Sequence, residues 1–271
     1  MTLKPEYKKW IHRSTWVLVL GGLLFSLGFV AKKEKEIVAN ALSIEILNNE
    51  ENLFLNENEV KGFVQQREEP ILGQTYGKLN IPELEKALNT HPAIENAEVS
   101  ATLNGEVKVE VIQRTPLVRI INKDGESYYI DKQSKLMPLN QNYSARVMVA
   151  NGEIFEPYDR RSLYTVDQIG KSETFRQVSV LDDILAVTRY IQSDTLLSKL
   201  IHQIYVNKEQ ELELFPMFGC QKIVFGNSLA LEEKFNKLKL FYKQGINKTD
   251  GWNKYSSLNL KYKNMVVCTK K

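Results

Sequence analysis

Residues 93–116 read "AIENAEVSATLNGEVKVEVIQRTP". Two runs that alternate apolar and polar side chains flank Asn104 and Gly105, a dipeptide that favours a tight hairpin turn, so the stretch predicts two antiparallel strands. Upstream, "NIPELEKALNTHP" predicts a helix: Asn80 and Glu83 have capping-box spacing, Pro82 sits in the first turn, and Ile81, Leu84 and Leu88 share a face that ends at His91 and Pro92. A further helix is predicted over Glu57 to Gln66, with Asn56 as cap and Val60, Phe63 and Val64 on one side. Before it, Ile37 to Leu47 reads as a strand carrying Ala41, Ile44 and Ile46 up to a turn at Asn48 to Asn52. The order is strand, helix, helix, strand, strand.

Downstream, "QRTPLVRI" leaves the last of these strands through Arg114 and Pro116 and enters a new one at once. "YYIDKQSKLMPL" pairs a strand ending at Asp131 with another from Leu136, and "ARVMVANGE" predicts a strand turning at Asn151 and Gly152. Phe155 to Gln177, polar and irregular, reads as an excursion over the surface. Leu181, Ile184, Leu185, Thr188 and Ile191 share a helical face, and short strands are predicted around Ile204, Leu212 and Val224. A last helix opening at Ser228 is expected to bury Leu231, Phe235, Leu238 and Tyr242. The final stretch "SLNLKYKNMVVC" alternates through Leu258, Leu260 and Tyr262, with Asn259, Lys261 and Lys263 between them, and reads as one strand from Leu258 to Cys268. Met265, Val266, Val267 and Cys268 are apolar on both faces, so the strand needs a cover, either its own core or another chain.

The 271 residues are 43% apolar and 10% aromatic, which indicates packed cores. The net charge of +3 comes almost wholly from Lys4, Lys8, Lys9 and Arg13 against Glu6, leaving 32 basic and 32 acidic side chains beyond. That balance argues against a nucleic-acid partner, whose phosphates call for an excess of cations. Cys220 and Cys268 are too few for a disulfide framework and lack metal-ligand spacing; two separate thiols or a single bridge between them are the readings left open.

"WVLVLGGLLFSLGFVA", Trp16 to Ala31, carries no charge. As a helix its sixteen residues reach roughly 24 Å, and snorkelling by Arg13, Lys32 and Lys33 supplies the remainder of a membrane span. A cleaved signal peptide is the rival reading, but a cut after Ala31 places bulky Phe29 where a small residue is wanted. A retained transmembrane anchor over residues 16–33 is therefore the expectation, with residues 1–15 cytoplasmic and the bulk of the chain across the membrane. Gly22 and Ser26 form a small-residue pair on it.

No catalytic constellation stands out. His12, His91 and His202 are scattered, Gly21 and Gly22 lie in the apolar run, and Asp182 and Asp183 are adjacent on a helix and point apart. Ser134 and Ser228 lack the glycine-flanked elbow of a hydrolase. The expectation is a protein with no catalytic residue, no metal, no cofactor and no small-molecule ligand.

The ordered set of basic tail, anchor, β-α-α-β-β unit, Arg-x-Pro junction, Tyr-Ile-Asp hairpin and Val-x-Val-x-x-Gly strand resembles the FtsQ/DivIB family of bacterial division proteins, with "YYIDKQSKLMPL" and "LKYKNMVVC" similar to FtsQ-like proteins of the Bacteroidota. The resemblance implies an α+β chain: a single N-terminal transmembrane helix, a POTRA-like domain over residues 34–115, joined at Arg114 and Pro116 to a β domain over residues 116–271. It also implies a non-catalytic scaffold of the inner membrane and division septum, whose periplasmic domains recruit the bitopic proteins FtsB and FtsL and, through them, the septal peptidoglycan synthase complex. Partner binding then falls on Leu260, Lys261, Tyr262, Lys263, Asn264, Met265, Val266 and Val267 of an exposed terminal strand, with Tyr262 foremost. Two departures stand out: Ser134 occupies a hairpin position that is often glycine in the family, a change that a type I turn tolerates, and the glycine that often follows the Tyr262 position is absent. The alternative function is a signal-anchored envelope enzyme with an accessory POTRA domain.

Overall fold

Alternation dictates the first sheet. Val107, Val109 and Val111 point to one face of the strand Glu106–Gln113 and are wholly buried, while Lys108 and Glu110 between them reach outward. This strand, β3, is the middle of three: β1 (Ala41–Ile46) runs parallel to it and β2 (Ile94–Ala101) antiparallel. The computed structural model describes residues 5–48, 53–66, 70–141, 143–159, 164–171, 179–219, 221–246 and 254–271. They fall into two compact units, residues 1–49 with 55–113 and residues 50–54 with 114–271.

In the first unit, Gly105 closes the β2–β3 hairpin at φ +86°, and a Cβ there would lie 2.7 Å from the Val38 carbonyl oxygen. Two helices carry buried aliphatic side chains: Val60 and Val64 on α2 (Glu57–Gln65), Leu84 and Leu88 on α3 (Ile81–Asn89). Asn56 and Glu59 complete a reciprocal capping box on α2, and the Asn80 side chain accepts the Glu83 N–H at the start of α3. The expected strand from Ile37 to Leu47 is shorter, because Val38 pairs instead with Thr75 in an isolated bridge. The turn expected over Asn48 to Asn52 lies mostly outside the described residues.

The apolar run belongs to a 32-residue helix, α1 (Pro5–Glu36), with Trp16, Leu18, Leu24 and Phe25 among its exposed side chains. Among the described residues no helix is long and apolar enough to cross a membrane; the side chains of Leu27, Val30 and Ala31 lie outside that description.

The second unit is one nine-stranded sheet, ordered β12-β11-β10-β9-β8-β7-β4-β5-β6. The strands are β4 (Pro116–Ile121), β5 (Ser127–Asp131), β6 (Leu136–Pro138), β7 (Met148–Gly152), β8 (Ile201–Val206), β9 (Leu212–Pro216), β10 (Lys222–Gly226), β11 (Tyr255–Asn259) and β12 (Val267–Lys270). Three pairings are parallel, β4 with β7, β7 with β8 and β10 with β11, so the sheet is mixed and not a stack of hairpins. The parallel step from β7 to β8 needs a crossover, which contains α4 (Val166–Lys171), α5 (Leu181–Ser193) and α6 (Thr195–Leu200). Ile184, Leu185 and Ile191 of α5 join Ile120, Ile204, Leu214, Phe225 and Leu258 in one buried cluster with Phe235 and Leu238 of α7 (Leu231–Leu240). Helix α6, which sequence reading missed, is capped by the Asp194 carboxylate accepting the Leu196 and Leu197 N–H groups.

Several expectations change here. The last helix opens at Leu231 and not at Ser228, after Ala230 at φ +54°, and it continues into a π-helical turn at Phe241–Ile246. Of the excursion expected over Phe155 to Gln177, residues 160–163 and 172–177 lie outside the described residues; at its start Glu156 is fully buried and accepts the Val180 N–H, while its carbonyl accepts the Tyr128 hydroxyl. Arg114 and Asp131, from two separate motifs, meet in an ion pair of 2.8 Å that is almost completely buried. Losing one partner of such a pair costs about 3–5 kcal/mol.

Ser134 does not sit in an undemanding type I position. Its φ is +67°, a left-handed backbone that favours glycine. The serine compensates through its hydroxyl, which accepts from Arg189 Nη2 at 2.7 Å and donates to Asp167 Oδ2 at 3.0 Å. Relief of a left-handed strain of roughly 1–2 kcal/mol is set against hydrogen bonds to charged groups of about 1.5–3 kcal/mol each. Ser134→Gly is therefore expected to lower stability by about 1–5 kcal/mol in chemical denaturation, and a gain in stability would contradict this account.

In the first unit, burial holds His91 below its usual pKa; its Nδ1 accepts the Ala93 N–H and its ring meets Phe63 edge-on. A depressed folded-state pKa favours the neutral ring, so this stabilisation is complete above the unfolded value of about 6.5 and is lost as pH falls through the folded one. Melting of His91→Asn beside the unsubstituted chain from pH 8 to pH 5 is expected to show a smaller acid-side loss for the variant.

A candidate partner-binding edge

The terminal stretch is a hairpin and not one strand from Leu258 to Cys268. β11 ends at Asn259, a turn occupies Tyr262 to Asn264, and β12 returns antiparallel from Val267. Asn264 makes the reversal at φ +58°, taking the left-handed position that a glycine in this segment would otherwise fill. Leu260 still belongs to the sheet: its side chain is buried and its N–H bonds the Val224 carbonyl.

Helix α7 holds the turn from below. Lys237 Nζ donates to the Leu260 carbonyl at 3.1 Å and to the Tyr262 carbonyl at 2.5 Å, and the Glu233 carboxylate accepts the Asn264 N–H at 3.4 Å. That N–H, with Lys237 beside it, keeps the Glu233 pKa below the usual carboxylate range. Lys261 turns away to a salt bridge with Glu211 at 2.7 Å. Tyr262, Met265 and Val267 are left 53%, 56% and 43% exposed, whereas Val266 and Cys268 pack partly on the core. Lys263 and Asn264 are exposed at the tip. The eight expected positions thus divide: Leu260 and Val266 support the fold, and Tyr262, Met265 and Val267 present an apolar surface.

β12 is one of the two edges of its sheet, the other being the three-residue β6. The Lys271 N–H bonds the Lys254 carbonyl. Ladder groups alternate, so Thr269 and Val267 also face β11, and the Cys268 N–H and C=O and the Lys270 N–H turn outward, while the Lys270 carbonyl accepts the Ser256 hydroxyl at 3.3 Å beside a register irregularity in β11. Beside this edge a cleft of about 390 Å³ is lined by Leu240, Phe241, Gly245, Asn264, Met265 and Val266. Lys237, Glu233 and the π-helical wall of this cleft escaped sequence reading; the i, i+4 spacing of the two charges was the available signal. The Cys268 thiol is free, Cys220 lies outside the described residues, and among the described residues no three His, Cys, Asp or Glu side chains form a metal cluster.

A family model described as FtsQ/DivIB, C-terminal related, matches residues 115–269, more than half of the chain. The chain belongs to the FtsQ/DivIB family. A model of the POTRA-like domain matches residues 37–112, over the unit built on β1, β2 and β3. No curated protein matches the chain. Arg114 directly precedes the matched region, and Pro116 is the first residue of β4, where its missing N–H is harmless, opposite Asp131.

Removing the Lys237 ammonium leaves two carbonyls without their charged donor. Lys237→Met is expected to cost about 1–3 kcal/mol and to speed amide exchange across residues 260–266, with the core of the sheet unchanged. Unaltered exchange in that segment would show that Lys237 does not hold the turn.

Proposed function

We propose that the chain is a single-pass, non-catalytic scaffold of the division machinery, with a cytoplasmic tail at 1–15, an inner-membrane anchor at 16–33, a periplasmic POTRA-like domain at 34–115 and a β domain at 116–271. The partners are FtsB-like and FtsL-like bitopic proteins, and through them the septal peptidoglycan synthase complex. The uncharged, outward-facing run of α1 supports the anchor. One observation carries the binding site: in an FtsQ/DivIB chain, among the described residues no strand pairs with the outer side of β12, which leaves the Cys268 N–H and C=O and the Lys270 N–H open beside exposed Tyr262, Met265 and Val267. An extended partner segment added there gains ladder hydrogen bonds from Cys268 and from the Lys270 N–H, and an aromatic anchor from Tyr262. Lys270 and Lys271 discourage pairing with a second copy of the same edge.

Co-purification of the full chain with FtsB-like and FtsL-like proteins, beside an assay for turnover of a peptidoglycan fragment, separates scaffold from enzyme. Tyr262→Ala is expected to weaken the partner by roughly 2 kcal/mol, about thirtyfold. Lys270→Pro is expected to lose the partner at a near-unchanged melting temperature, because the N–H it removes faces outward, whereas Thr269→Pro breaks the ladder with β11. Equal binding by all three variants removes this edge as the site. Depletion is expected to give cells that elongate without constricting, and normal septation would remove the division role.

A further inference from the structure

The β9–β10 hairpin ends in "MFG", and at its tip Met217 and Phe218 are 64% and 61% exposed. The tip is not a loose loop: the Met217 N–H bonds the Leu200 carbonyl at 2.7 Å, and Gly219 turns the chain at φ +93°. An exposed aromatic beside an exposed methionine on a braced turn calls for a cover. Strand directions show what else gathers at that end of the sheet. β8 begins, β9 ends, β10 and β11 begin and β12 ends there, which brings Lys199, Lys222, Lys254, Lys270 and Lys271 to the ends of the strands around the tip. Among the described residues, Glu213 is paired with Lys222, which takes that lysine out of the free set, and Asp194 is paired with Lys239, which leaves Lys199, Lys254, Lys270 and Lys271. At the opposite end of the same strands the charges balance, Glu209 beside Lys208 and Glu211 paired with Lys261. Because β4 is parallel to β8 through β7, the basic end is also the end at which the chain enters this unit at Pro116.

We infer that the Met217-Phe218 tip with its surrounding lysines is a contact site for an anionic phospholipid surface. The inference rests on the anchor proposed above. Two side chains are far too little for a free protein partner, since a stable interface takes about 800 Å² from each side. A weak surface contact suffices when the chain is already tethered to that surface, because the tether supplies the effective concentration. The apolar pair would enter the headgroup boundary while the ammonium groups meet lipid phosphates, each worth about fivefold in affinity at an anionic surface. The contact would orient the β domain and with it the β12 edge.

The test uses the full chain in nanodiscs of phosphatidylethanolamine with phosphatidylglycerol, and in nanodiscs of phosphatidylcholine alone. An environment-sensitive fluorophore is placed at Met217→Cys or, at the other end of the sheet, at Glu209→Cys, each with Cys220→Ser and Cys268→Ser. Headgroup nitroxide lipids are expected to quench the tip label, and not the Glu209 label, in the anionic discs. Lys199→Glu with Lys270→Glu and Phe218→Ser are each expected to reduce that quenching about fivefold or more. A tip label as water-exposed as the control, quenching that is equal in phosphatidylcholine, or protection that appears only when a second protein is added overturns the proposal. A chain that fails to enter nanodiscs removes the anchor reading and this one with it, whereas an embedded chain with an exposed tip removes this one alone.

Discussion

A sheet leaves hydrogen-bonding groups unpaired only at its edges, and the second unit concentrates that exposure in one place. Seven of its nine strands have neighbours on both sides, and the edge at β6 is three residues long. Short edges offer little template for another chain. β12 adds one residue to that length and has beside it the apolar surface of Tyr262, Met265 and Val267, where β6 is followed by exposed Leu139. The partner-binding reading depends on this asymmetry more than on any single side chain.

The edge exists because the turn before it is held. Lys237 spans two carbonyls of the segment that joins β11 to β12, and Glu233, one helical turn earlier, takes the Asn264 amide. Buried Phe235 and Leu238 fix the helix that carries them, so core packing is converted into the position of a surface loop. Deeper in the unit, the Arg114–Asp131 pair does similar work by joining the entry of β4 to the end of β5. Polar groups with few alternatives thus set the geometry at both ends of the sheet.

The POTRA-like unit was legible almost residue by residue, because its signals are local: capping residues at Asn56 and Asn80, period-two alternation in β2 and β3, and a glycine where φ is positive. The second unit was legible as a set of strands but not as a sheet, since the parallel pairings of β4, β7 and β8 join segments separated by tens of residues and leave no local mark. The terminal segment misled for a physical reason. Alternation through Leu258, Leu260 and Tyr262 continues smoothly into "KNMVVC", and the reversal rests on Asn264 adopting a left-handed φ that asparagine tolerates without requiring. Ser134 hid its backbone in the same way, behind a hydroxyl that meets Asp167 and Arg189 only in the fold.

The central claim is that β12 offers an open edge for another chain to pair with, and site-resolved amide hydrogen exchange on the full chain, free and bound to an FtsB-like partner, tests it most directly. The account expects the Cys268 and Lys270 amides to exchange quickly in the free chain and slowly in the complex, with the Thr269 amide protected in both. Cys268 and Lys270 amides already protected in the free chain, or unprotected in a saturated complex, would contradict it.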